Sequence, residues 1–140
     1  MPGNIRPSTP KKSSQLPLTI LLVDDDPLIR VLGQELLEHL GYRVVTAADG
    51  SEALEKFQRL GVVDLVLLDY YLPGQTGCQV IRRFKALDQR ARVLVASGTF
   101  SSRDLDCLKA EGALGLIHKP YRLTDLQRRI QLVLAGQSGF

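Results

Sequence analysis

The chain has no tryptophan, one methionine, two histidines and two cysteines among its 140 residues. Cys78 and Cys107 lie too far apart in sequence for a CxxC redox or zinc pair, and neither His39 nor His118 belongs to a cluster. A cysteine–histidine metal site is therefore excluded, and each cysteine is expected to be a reduced thiol packed as a small hydrophobe. No apolar run approaches the ~20 residues that a membrane-spanning helix needs. Residues 1–17 lack the apolar core of a secretory signal. Together these absences point to a cytoplasmic chain that does not cross a membrane. A large excess of one charge is also missing, since 18 basic and 15 acidic residues leave a net charge of +3. The densest basic group is Arg82, Arg83, Lys85, Arg90 and Arg92. Phe84, the aromatic among them, falls on the apolar stripe of a helix, so no base-stacking platform accompanies the arginines. The group reads as a solvated helix face, and nothing argues for nucleic acid.

What is present is enough for one core, at 44% hydrophobic residues. Residues 1–17 carry Pro2, Pro7, Pro10 and Pro17 among Ser, Thr and Lys, and read as a flexible tail. The folded domain is expected over 18–136, with a short C-terminal tail at 137–140. Within the domain, apolar runs recur at Leu18–Val23, Tyr42–Thr46, Val62–Leu68, Arg92–Ala96 and Gly115–Ile117. LTILLV, VVDLVLL and RVLVA are nearly continuous hydrophobic sequence, as strands buried on both faces of a parallel sheet are.

Helical patterns fill the intervals. Leu28, Val31, Leu32, Leu36, Leu37 and Leu40 form one stripe, with Asp26 as cap, Pro27 in the first turn and Gly41 at the end. Asp49 or Ser51 opens a second helix, with Ala53, Leu54, Phe57 and Leu60 on its stripe. A third carries Val80, Ile81, Phe84 and Leu87, and a fourth runs over about residues 102–111. The fifth is capped by Thr124 and buries Leu126, Ile130, Val133 and Leu134. Five strands alternating with five helices imply a three-layer α/β fold, a doubly wound (βα)5 parallel sheet of order 2-1-3-4-5. Ligands of such sheets bind beyond the carboxyl ends of the strands.

Chemistry-bearing residues fall at those ends: Asp24-Asp25-Asp26 after the first strand, Asp69 after the third, Ser97-Gly98 after the fourth and Lys119-Pro120 after the fifth. Taken singly, each is a cap or a turn residue. Brought to one edge, the carboxylates repel, and a hard divalent cation such as Mg²⁺ resolves the conflict. Lys119 adds a fixed positive charge, and Ser97 adds a hydroxyl for a phosphoryl oxygen. A carboxylate nucleophile, a metal and a lysine are the parts of phosphoryl transfer.

At these residues the sequence resembles the receiver domain of response regulators, from about Leu18 to Leu134. ILLVDDDPLIR matches the family's first strand and acidic pair, and DLVLLDYYLPGQTG matches its phosphorylation segment. VLVASG and EGALGLIHKPY match the segments carrying its hydroxyl and its lysine. The resemblance implies Asp69 as phosphoacceptor, Ser97 and Lys119 as its catalytic companions, and Mg²⁺ or Mn²⁺ held by Asp24, Asp25, Asp69 and the Tyr71 carbonyl. It further implies a typically cis Lys119–Pro120 bond, and a sensor histidine kinase or histidine phosphotransfer protein as donor. The downstream partner would meet the face made by the fourth helix, fifth strand and fifth helix. Such a chain is a signalling switch rather than an enzyme that turns over a substrate.

The family usually places Tyr or Phe three residues before the lysine, where this chain has Leu116. Readout is then expected to rely on the loop and the fourth helix, or to be a phosphorelay with little conformational output. Tyr70 is expected to border the site, and Tyr71 to restrict attacking water. Two rival readings are a phosphohydrolase resembling the haloacid dehalogenases, whose nucleophile follows the first strand, and a receiver-like module that is never phosphorylated.

Overall fold

The nearly continuous hydrophobic runs form the centre of the sheet because nothing along them needs water. In the computed structural model, which describes residues 17–140, the five strands are β1 (Thr19–Val23), β2 (Arg43–Ala47), β3 (Leu65–Asp69), β4 (Val93–Ser97) and β5 (Gly115–His118). They pair in parallel in the order β2-β1-β3-β4-β5. Every residue of β1, β3 and β4 is buried. The helices are α1 (Pro27–His39), α2 (Gly50–Leu60), α3 (Gly77–Leu87), α4 (Ser102–Ala110) and α5 (Leu123–Leu134). The flexible tail expected at the N-terminus lies outside the described residues, Pro17 excepted.

Side chains alternate across a strand, so β1 and β3 feed two cores. Leu21, Val23, Val66 and Leu68 pack with Leu54 of α2, Ile81 and Phe84 of α3 and Leu108 of α4. Ile20, Leu22, Leu65 and Leu67 pack on the other side with Leu37 of α1 and Leu126, Ile130 and Val133 of α5. The three layers follow from this partition. Among the described residues, no helix is long and apolar enough to cross a membrane.

Caps fix where several helices begin. Asp26 accepts from the Leu28 and Ile29 N–H groups, and Asp49 accepts from Glu52 N–H. Thr124 is not a cap: α5 starts at Leu123, after Arg122, without a side-chain cap bond. The stripe expected on α1 is buried only in part. Gly33 and Leu37 are covered, whereas Leu28 is 80% exposed and Val31 54%, because the buried face of α1 runs through Ile29, Gly33, Leu36, Leu37 and Leu40 and leaves Leu28, Val31 and Leu32 on the outer side. The turn after β3 is a small hairpin pairing Tyr71–Leu72 with Gln75–Thr76.

The two cysteines, each expected to be a thiol packed as a small hydrophobe, are brought together: Cys78, in the first turn of α3, meets Cys107 of α4, with Cα atoms 6.3 Å apart. The 29-residue separation hides the fact that α3 and α4 pack side by side on one face.

The residues after α5 run along the outer edge of β5. Gly139 N–H donates to the Leu114 carbonyl (2.8 Å), and Leu116 N–H donates to the Gly139 carbonyl (3.1 Å). Gly115 and Gly139 make this approach possible, since a Cβ on Gly115 would lie 2.7 Å from the Gly139 Cα.

Tyr121, beside Gly33 of α1, buries its ring, and among the described residues its hydroxyl has no hydrogen-bond partner. An unmet buried hydroxyl costs on the order of 1 kcal/mol. Tyr121→Phe is therefore expected to raise the thermal midpoint by about 3 °C. A midpoint at or below that of the parent in a melting experiment contradicts this assignment.

Candidate functional site

Asp24 begins where β1 stops, and its backbone N–H continues the ladder to the Ala47 carbonyl at 3.0 Å. It is fully buried, while Asp25 beside it is exposed. One Asp24 oxygen, Oδ1, accepts from Asp26 N–H at 2.9 Å; the other, Oδ2, accepts from Lys119 Nζ at 2.6 Å. Asp26 turns away to cap α1, as its position after the pair predicts. Arg30 of α1 donates to the Asp24 carbonyl at 2.6 Å and holds that turn in place.

Asp69 is the last residue of β3 and is 6% exposed. Its Oδ2 lies 3.3 Å from Lys119 Nζ, and its Oδ1 accepts weakly from Tyr71 N–H at 3.4 Å. Burial raises its carboxyl above the ordinary range, and Lys119 opposes that rise. The folded state therefore binds the Asp69 proton more tightly than the unfolded chain does. That contribution to stability is present below the ordinary carboxylate range and is lost as pH rises through the raised value. At neutral pH the ionised Asp69 is a cost to the metal-free fold, as expected of a group kept for function.

Asp24, Asp25 and Asp69 each offer an oxygen within 4.8 Å of the others. Three carboxylates against the single Lys119 ammonium leave a formal charge of −2 at this edge. The donors are all hard oxygens, which suits Mg²⁺ or Mn²⁺ and does not suit a soft metal.

Lys119 follows β5 directly, its N–H bonded to the Ser97 carbonyl at 2.9 Å and its bond to Pro120 cis. Ser97 ends β4 and is 2% exposed. Its hydroxyl donates to the Thr99 carbonyl (2.8 Å) and accepts from Thr99 N–H (3.3 Å), so it is engaged with its own loop.

All four strand-end sites named from sequence thus reach one edge. Tyr71 is at the rim, with a side chain 56% exposed. Tyr70 is buried, and its hydroxyl donates to Asp104 Oδ1 at 2.9 Å. Burial and that carboxylate push the Tyr70 phenol up to about 12. His118 faces outward from β5, its ring 5.5 Å from that of Phe100. Asp104 was not legible as a neighbour of the site. In sequence it is only the third residue of a capping box with Ser101.

Comparison with known proteins agrees with this fold. The profile of the response regulator receiver domain matches residues 20–131. The sporulation initiation phosphotransferase F of Bacillus subtilis is 32% identical over 119 residues, covering 85% of this chain and 95% of that protein. The structure of Vibrio cholerae chemotaxis protein CheY4 superposes with a TM-score of 0.80 at 31% identity, covering 84% of this chain and 98% of that one. The receiver domain of the hybrid histidine kinase CckA gives 0.69 at 29% identity, covering 83% and 98%. The chain spans only 20% to 60% of the length of three other curated relatives.

Proposed function

The chain belongs to the response regulator receiver domain family, and on that premise we propose that Asp69 accepts a phosphoryl group from a phosphohistidine on a sensor kinase or phosphotransfer protein. The observation that carries this reading is the position of Asp69, at the end of a fully buried strand and inside one cluster with Asp24, Asp25 and Lys119. Asp24, Asp25, Asp69 and the Tyr71 carbonyl would hold Mg²⁺ or Mn²⁺. When bound, the ion supplies the positive charge that lets phosphoryl oxygens approach these carboxylates. An Asp69 carboxylate oxygen forms the new bond to phosphorus as the phosphorus–nitrogen bond breaks, and the leaving imidazole keeps the electron pair. Lys119 shifts its ammonium from Asp69 to a phosphoryl oxygen, and the Ser97 hydroxyl leaves Thr99 for another.

Exposed Leu28, Val31 and Leu32 stand on α1 beside the acidic pair, where a donor protein has to dock to reach Asp69. The downstream partner is assigned to the α4–β5–α5 face. A cytoplasmic location fits a phosphohistidine donor.

Transfer from a labelled phosphohistidine protein in Mg²⁺ tests the proposal: label should reach the native chain and not Asp69→Asn. Leu28→Glu is expected to slow that transfer at least tenfold while leaving phosphorylation by acetyl phosphate within twofold of the parent. Equal slowing with both donors removes α1 as the docking surface.

A further inference from the structure

Tyr70 and Tyr71 follow Asp69 directly and aim their hydroxyls at one carboxylate on α4. Tyr70 Oη donates to Asp104 Oδ1 at 2.9 Å, and Tyr71 Oη donates to Asp104 Oδ2 at 3.4 Å. The Tyr70 bond is the better made of the two, because its ring is 5% exposed and the Tyr71 ring is 56% exposed. Tyr70 is also fixed on every side. Its N–H donates to the Ala96 carbonyl at 2.9 Å, its carbonyl accepts from Gly77 N–H at 2.8 Å, and its ring meets those of Tyr71 and Phe100 edge-on. A Cβ on Gly77 would come within 2.7 Å of that ring.

Asp104 has a second task. Its Oδ2 accepts from Ser101 N–H at 3.0 Å, and its own N–H donates to the Ser101 hydroxyl at 3.0 Å. The same carboxylate therefore closes the first turn of α4 and holds both tyrosines. One turn further along α4, Cys107 meets Cys78 of α3. At the other end of the dipeptide, Tyr71 N–H donates to Asp69 Oδ1 at 3.4 Å. An unbroken chain of contacts thus runs from the acceptor carboxylate to the N-terminal turn of α4. On β5, Leu116 has no polar end with which to make such a link, and it packs among apolar neighbours.

We propose that the Tyr70–Asp104 hydrogen bond, seconded by Tyr71, is the element that couples Asp69 to α4, and that a phosphoryl group on Asp69 weakens it. This rests on the acceptor role assigned above. Loading Asp69 offers Tyr71 N–H a phosphoryl oxygen in place of its weak 3.4 Å bond to Oδ1. The Tyr70–Tyr71 backbone must then re-seat, and a buried ring held at van der Waals contact cannot follow without moving its hydroxyl. Loss of that bond leaves the first turn of α4 held by its Ser101–Asp104 cap and the longer Tyr71 contact. The first turn of α4 is the two-state element that such a mechanism requires.

The test is amide hydrogen exchange across the full chain, with Mg²⁺ and with or without beryllofluoride as a phosphoryl stand-in. Bound beryllofluoride is followed separately by fluorine NMR. Tyr70→Phe keeps the ring and the α4 cap and deletes only the donor. In the native chain, beryllofluoride should speed exchange over residues 102–110 at least tenfold while β1 and β3 stay unchanged. In Tyr70→Phe the same residues should already exchange faster without it, and the adduct should add less than twofold. Native-like exchange and a full response in Tyr70→Phe overturn the coupling, as does a native chain that binds beryllofluoride without change at α4. A variant that no longer binds beryllofluoride also overturns it, by placing Tyr70 in the acceptor site itself. No bound fluorine signal in the native chain is a different failure, which removes the acceptor reading and the coupling with it.

Discussion

Lys119→Met is expected to slow phosphorylation of Asp69 by about 10²- to 10³-fold, the usual effect of removing a preorganised charge from a transition state. The same change should destabilise the metal-free protein by about 2 kcal/mol, or about 7 °C in thermal midpoint. Lys119 Nζ lies 2.6 Å from Asp24 and 3.3 Å from Asp69, and its side chain is 17% exposed. Deleting it leaves two buried carboxylates and the neighbouring Asp25 without a counter-charge. The cost falls short of the 3–5 kcal/mol seen for fully buried pairs because water reaches the lysine. Saturating Mg²⁺ should recover much of the stability, since the cation takes over the neutralisation, but should not recover the rate. A loss of stability indifferent to Mg²⁺ contradicts the assignment of one shared charge cluster.

The second large effect separates metal binding from folding. Asp25→Ala is expected to weaken Mg²⁺ binding at least tenfold by calorimetric titration, about 1.4 kcal/mol. It should leave the metal-free thermal midpoint unchanged or slightly raised. The Asp25 side chain is exposed and makes no hydrogen bond among the described residues, so its removal breaks nothing and takes one repelling charge from the cluster. The outcome that contradicts the account is an unchanged Mg²⁺ affinity, which would leave the acidic pair as no more than a helix entrance.

The sheet and the strand-end residues were legible for one reason. A strand buried on both faces has to be apolar throughout, so a polar residue at its carboxyl end stands out, as Asp69 does after Leu65–Leu68. Crossover topology then fixes that four such ends meet. Because Asp69 follows β3, the haloacid dehalogenase reading, which needs its nucleophile after the first strand, is disfavoured.

Less could be read where an apolar arc is wider than the face it buries. The α1 repeat gives an apolar arc that also takes in Ile29, and it cannot say which side of that arc meets the sheet, so Leu28, Val31 and Leu32 joined the expected stripe although they face outward. Contacts between elements distant in sequence were hidden for the same kind of reason. Nothing local to Ser101 or Asp104 reveals that this capping carboxylate also receives Tyr70, 34 residues earlier. Cys78 and Cys107 are each unremarkable in sequence, and only the packing of α3 beside α4 brings them together. The departure at Leu116 was visible from the start. What could not be seen was that Tyr70 offers an aromatic hydroxyl on the other side of the site.

The most direct test of the central claim is the intact mass of the native chain and of Asp69→Ala after incubation with acetyl phosphate, with and without Mg²⁺. The account predicts a gain of one phosphoryl group in the native chain alone, dependent on Mg²⁺ and removed by hydroxylamine, as an acyl phosphate is. An adduct that persists in Asp69→Ala, or no adduct on the native chain at saturating Mg²⁺, contradicts it.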